Sequence, residues 1–168
     1  DATLAVWIKA ESFPGGDNAN IISKLDDTNG EYGLQWLVAS SRLNFRVLGS
    51  AGYGDSTSIS ATTFGAQGTG VWIFIVAWHD ATANTINIQV NDGAVDSTAH
   101  TAGVYAGSSI FSMGFITAVG ARWDGLIDEA ALWKRVLTSQ ERTDLYNGGA
   151  GLSYDSFGGG AAGCHPWF

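Results

Sequence analysis

The sequence predicts an all-β sandwich of two antiparallel sheets with one short helix near its end. Short apolar runs with two-residue alternation recur along the chain, separated by turn residues. Glycine fills 23 positions and proline only 2, a balance that suits many glycine turns and that a helix bundle would not tolerate. A single helix signature stands late, at Thr138-Ser139-Gln140-Glu141.

Each element follows from its local pattern. Leu4, Val6 and Ile8 alternate with Ala5, Trp7 and Lys9, a first strand. Residues 13–18 form a turn cluster, 21–25 a short strand and 26–30 a second turn cluster. Residues 31–39 and 43–48 read as a hairpin, with Tyr32, Leu34, Trp36 and Val38 on one face. Residues 49–58 read as a glycine-rich loop carrying Tyr53 and Asp55. Residues 71–78 are apolar on both faces, so this strand is central and covered on both sides, with Trp72 and Trp78 in the core. Residues 85–90 alternate through Ile86, Ile88 and Val90, and Asn91-Asp92-Gly93 is a hairpin turn because these residues accept positive φ cheaply. After a looser stretch, 113–119 and 126–133 supply the last strands. In the helix, Thr138 caps, Glu141 reaches back, Leu145 and Tyr146 form the apolar side, and Gly148 ends it. The domain therefore spans 1–151, and 152–168 is a glycine-rich tail ending in Trp167 and Phe168.

Bulk properties exclude several functions. The net charge is −8 and the eight Lys and Arg residues are scattered, which argues against a nucleic-acid partner. No apolar run approaches the roughly 20 residues needed to span a bilayer, and no signal peptide is visible. Cys164 is the single cysteine, so an internal disulfide is ruled out.

Several segments together resemble a known family. Thr3-Leu4-Ala5-Val6-Trp7-Ile8-Lys9 resembles the early strand of laminin-G-like jelly rolls. Ile21-Ile22-Ser23-Lys24 and Gly30-Glu31-Tyr32-Gly33-Leu34 are similar to the next two strands. The segment from Trp72 through Val76 to Asp80 looks like the family's central tryptophan strand, and Val90-Asn91-Asp92-Gly93 like its hairpin. Gly125-Leu126-Ile127-Asp128-Glu129, then Leu132-Trp133-Lys134-Arg135-Val136-Leu137, Glu141 and Leu145-Tyr146-Asn147-Gly148 complete the pattern. The resemblance implies a concanavalin A-like jelly roll, a fold that hosts carbohydrate-binding, adhesion and interaction domains and some glycan hydrolases. The family usually has a further strand ahead of the Trp7 strand, and this chain lacks it. The expected consequence is an open sheet edge near Leu4 to Ile8, available to a strand-donating partner chain or to self-association.

The residues bear on three chemistries. Retaining glycosidases need two carboxyl groups about 5–5.5 Å apart on one face of a cleft. Asp128 and Glu129 are adjacent, so strand alternation sends them to opposite faces, and no catalytic residue is assigned. Calcium wants several oxygen ligands, and the resemblance implies Asp128 as one ligand of a structural calcium; the loop carboxylates Asp124, Asp26 and Asp27 offer an alternative rim site. Sugar faces stack on Trp and Tyr while hydroxyls bond Asp, Asn and Arg. Tyr53 with Asp55, and the trio Arg122, Trp123 and Asp124, are the candidate ligand-binding residues at the rim, with Trp36 and Tyr32 as candidates on a sheet face. The expected function is non-catalytic, extracellular recognition or adhesion toward a glycan or a protein surface. The alternative is a structural subunit of a fibril or virus particle, assembled through the open edge and the tail.

Overall fold

The computed structural model describes residues 1–13, 15–25, 29–65, 67–115 and 121–152, with the backbone alone at Tyr53 and Ala121. The described elements are β1 (Ala2–Ala10), β2 (Ala19–Lys24), β3 (Tyr32–Leu37), β4 (Arg42–Gly49), β5 (Gly52–Ser60), β6 (Trp72–Asp80), β7 (Thr85–Val90), β8 (Val95–Ala99), β9 (Ser112–Met113), β10 (Ala121–Arg122), β11 (Gly125–Trp133) and α1 (Ser139–Tyr146). They build a jelly-roll sandwich. One sheet runs β11-β1-β6-β7-β8, and the other runs β10-β2-β3-β4-β5 with β9 also pairing β2. Pairing is antiparallel except where β10 meets β2.

Strand β1 organises both cores. Leu4, Val6 and Ile8 point between the sheets, against Ile21, Leu34 and Phe45 of the second sheet. Ala5 and Trp7 point the other way, into a second cluster with Phe74, Val76 and Trp78 of β6 and with Leu137 and Leu145. A buried Leu, Ile or Phe side chain is worth roughly 1.5–3 kcal/mol. The first sheet is therefore apolar on both faces, and α1 covers its outer one.

The helix is fastened at its start and at its middle. Thr138 Oγ1 accepts from the Glu141 backbone N–H, and the Glu141 carboxylate accepts from the Thr138 N–H. Arg135 donates to both Glu141 oxygens, at 2.8 and 2.6 Å. These donors hold the Glu141 carboxyl down to about 2. Arg142 lies 4.3 Å from the Trp78 ring centroid and donates to Gln89 Oε1 at 2.7 Å, pinning the helix to the sheet. Thr3 Oγ1 donates to the Arg135 carbonyl and accepts from the Leu137 N–H, tying the approach to the helix to β1. Gly125 is required by close approach: a Cβ there would fall 2.2 Å from the Lys9 carbonyl oxygen.

Several expectations are corrected. β1 is no edge strand, since it pairs with β11 on one side and β6 on the other. The open edge near Leu4 to Ile8 is thus absent. Residues 52–60 are strand β5, because Thr57 and Ile59 pair with Val47 and Phe45 while Ser58 and Ser60 face outward. Trp78 is 6 % exposed as expected, but Trp72 is 38 % exposed, outside the cluster that α1 covers. Strand β8 was not read at all. Its exposed, alternating polar pattern is that of a sheet edge. The helix is capped by Asn147 in the left-handed region (φ 48°), one residue before Gly148. The Asn91-Asp92 turn is as expected, with φ of 50° and 53°. Of the expected strand at 113–119, Met113 lies in β9, and 116–119 lie outside the described residues. The tail from 153 onward, including Cys164, and the Asp26-Asp27 pair also lie outside them.

Two predictions follow from the packing. Trp78→Ala should cost about 3–5 kcal/mol in urea unfolding, and Trp72→Ala well under half of that. Equal losses would mean that the helix does not discriminate the two rings. The second concerns His79, which is 4 % exposed and meets His100 edge to face at 5.4 Å. Burial, then the neighbouring His100, push the His79 pKa below its ordinary value, with Asp80 opposing. The unfolded chain then binds the proton more readily than the fold does, so stability falls as pH drops below about 6.5. Chemical denaturation at pH 7 and 5 should show this loss, and His79→Gln should shrink it. An unchanged loss in that variant would contradict the assignment.

Candidate functional site

The site is built by strand alternation in the second sheet. Leu34 and Trp36 of β3 fill the inter-sheet core, and so do Leu43 and Phe45 of β4 and Ala19 and Ile21 of β2. The residues between them, Gln35, Asn44 and Asn20, therefore face outward. Register lines them up: Arg122 sits beside Asn20, Asn20 opposite Gln35, Gln35 opposite Asn44, and Asn44 opposite Ser60. One polar row thus crosses all five strands, about 19 Å at roughly 4.8 Å per strand.

Bonds inside the row fix its geometry. Gln35 Nε2 donates to Asn20 Oδ1 at 2.7 Å, and Asn44 Nδ2 donates to Ser60 Oγ at 3.1 Å. Asn20 and Asn44 are only 2 % and 3 % exposed, Gln35 is half-buried and Arg122 is exposed. Each amide carries two donors and two acceptor lone pairs, more than these bonds consume. Guanidinium groups flank the row on both sides. Arg46 lies in the next outward row, Ser23-Gly33-Arg46-Ser58, and donates to Ser56 Oγ at 3.4 Å. Arg42, opposite Leu37, donates to the Ala61 and Thr62 carbonyls at 3.1 and 3.2 Å. Gly33 leaves room for Leu25, whose Cδ1 lies 2.4 Å from where a Gly33 Cβ would stand. Amide, hydroxyl and guanidinium groups on a rigid sheet can bind a polyhydroxylated surface. The two rows contain no carboxylate, so they supply no acid–base pair.

The expected site residues scatter. Only Arg122 joins the row. Trp123 is 7 % exposed, packs in the inter-sheet core edge-on to Phe13 (centroids 6.4 Å apart), and donates its indole N–H to the Leu126 carbonyl. Asp124 is exposed and accepts from Ser12 Oγ at 2.5 Å. The trio diverges because alternation turns its middle residue inward. Asp55 Oδ2 accepts from the Ala51 N–H at 3.0 Å and from Ser50 Oγ at 3.4 Å, closing the β4–β5 turn. Tyr53 lies in β5. Trp36 stacks on Phe13 at 4.2 Å in the core, and Tyr32 packs at the margin of that core, where burial pushes its hydroxyl up to about 12. Neither ring lies on the outer face. Gln35, Asn20, Asn44 and Ser60 were missed, although each stands between apolar residues in an alternating stretch.

The carboxylates of β11 are also placed differently. Trp7 pairs with Asp128 and Ala5 with Ala131, so β11 carries one extra residue, and Glu129 adopts φ 46°. Simple alternation stops there, and both Asp128 and Glu129 are exposed. Asp128 Oδ1 accepts from the Glu129 N–H at 2.8 Å. Among the described residues no three His, Cys, Asp or Glu side chains converge.

A laminin-G-type family model of the concanavalin A-like lectin/glucanases superfamily matches residues 1–141. The chain belongs to that family. A search of the curated proteins finds no significant sequence match. Among solved structures, the chain is similar to a heptameric SAP-like pentraxin from Limulus polyphemus, with TM-score 0.62, 15 % identity, and 86 % of this chain and 68 % of that one covered. It is similar to domain 4 of AbnA, a GH43 extracellular arabinanase from Geobacillus stearothermophilus, in complex with arabinotriose (TM-score 0.61, 18 % identity, 85 % and 65 % covered). It is also similar to the CBM40 of a Ruminococcus gnavus IT-sialidase bound to α2,3 sialyllactose (TM-score 0.64, 13 % identity, 83 % and 79 % covered). The chain spans a little under two thirds of the arabinanase domain.

Proposed function

We propose that this chain is a non-catalytic glycan-binding module that works outside the cell. The polar row Arg122-Asn20-Gln35-Asn44-Ser60 carries the reading. Its length suits an extended oligosaccharide rather than a single sugar; Gln35, Ser60 and Arg122 are its accessible members, and the buried Asn20 and Asn44 hold Gln35 and Ser60 in place. Arg46 and Arg42 supply charge-assisted bonds at its margins. The modules with bound arabinotriose and sialyllactose support the reading at the level of fold. Assembly as a fibril or virion subunit draws no support from β1, both of whose edges are paired.

Titration calorimetry against a panel of oligosaccharides tests this. A binder should be found. Gln35→Ala should weaken it about fivefold, the worth of one neutral hydrogen bond, and Arg46→Ala at least roughly tenfold. Circular dichroism should show both variants folded. Absence of any binder, or binding indifferent to both substitutions, would overturn the proposal.

A further inference from the structure

A cleft of about 220 Å³ opens between the two sheets, away from the polar row. Leu4, Phe45, Val47, Ala77 and Leu132 make its walls apolar, and the exposed Val104 also lines it. Polar groups reach it from Tyr32, His79, Glu31 and Asp1. His79 is 4 % exposed, and its Nδ1 is buried with no hydrogen-bond partner among the described residues. A buried polar atom is costly to leave unpaired, so a partner gained on binding is favourable. Glu31 pairs with Lys24 at 2.5 Å. Asp1 accepts from the Ala81 N–H at 2.8 Å.

We infer that this cleft binds a small neutral aromatic alcohol, its ring against the apolar walls and its hydroxyl on His79 Nδ1. Size sets the ring count. An apolar cavity of about 150 Å³ holds one benzene, so 220 Å³ takes one substituted ring and not two. A hydroxyl both donates and accepts, so it satisfies Nδ1 in either tautomer. The lining holds no Lys or Arg side chain, so an anion would be buried there without a side-chain counter-charge. The lowered proton affinity of His79 keeps the imidazole neutral at pH 7, in accord with an uncharged ligand. This site is independent of the oligosaccharide reading.

The test uses methyl-labelled full-length protein and heteronuclear NMR with 4-methylphenol, toluene and benzoate. Saturable shifts at the Leu4, Val47 and Leu132 methyls are expected with 4-methylphenol in the millimolar range. Toluene should bind roughly tenfold more weakly because it leaves His79 unsatisfied. Benzoate should leave the three methyls unshifted. His79→Leu should abolish the preference for the alcohol. Val104→Trp, at an exposed position, should block all binding while leaving the core intact. Toluene binding as tightly as 4-methylphenol would reduce the cleft to an apolar void and overturn the inference. Absence of shifts at those methyls, whether the cleft is collapsed or already filled, would overturn it as well.

Discussion

Burial of strand β1 on both faces and both edges is the constraint on which the rest of this structure depends. Its inward residues Leu4, Val6 and Ile8 join the two sheets, and its outward residues Ala5 and Trp7 seat the helix. Trp7 stacks beside Tyr146 at 6.0 Å and meets Phe74 at 5.1 Å, so helix and sheet share one aromatic cluster. Because α1 packs on the outer face of the first sheet, over Trp7, Phe74, Val76 and Trp78, the outer face of the second sheet is the one without a helix across it among the described residues. The sequence there agrees: outward positions are Asn, Gln, Ser and Arg, while the same rows of the first sheet hold Trp, Phe and Val.

The sheet edges are managed rather than open. One edge of the first sheet is β11, interrupted by its bulge at Glu129. The other is β8, five residues long and held by Asp96, which accepts from the backbone and hydroxyl groups of both Thr62 and Thr63. These bonds keep the Asp96 carboxyl below its usual range, although its burial works the other way. Bulges and short strands are ordinary ways to discourage edge-to-edge pairing. Partner recognition through a face, not through an added strand, is consistent with that arrangement.

What could be read in advance was local. The Asn91-Asp92 turn and the Thr138–Glu141 capping box declare themselves in four residues, because their chemistry closes over that distance. Strand β5 was hidden by composition: serines fill its outward positions and glycines begin it, so it resembled a loop. Trp123 was misplaced because a two-residue strand carries no alternation long enough to show which side faces in. The polar row was legible only in pieces. Gln35 between Leu34 and Trp36, and Asn44 between Leu43 and Phe45, each mark an outward amide. That these amides stand side by side depends on register across five strands, with an irregularity between Asn20 and Ile22, and a single strand does not encode that.

The central claim is that the polar row is the binding face, and a crystal structure of the chain with a bound oligosaccharide tests it most directly. The account predicts a sugar chain lying across the strands from β10 to β5, with hydroxyls within about 3 Å of Arg122, Gln35 and Ser60. A sugar seated instead on the exposed Trp72, or against Tyr53 or Asp124, with the row left to water, would contradict it.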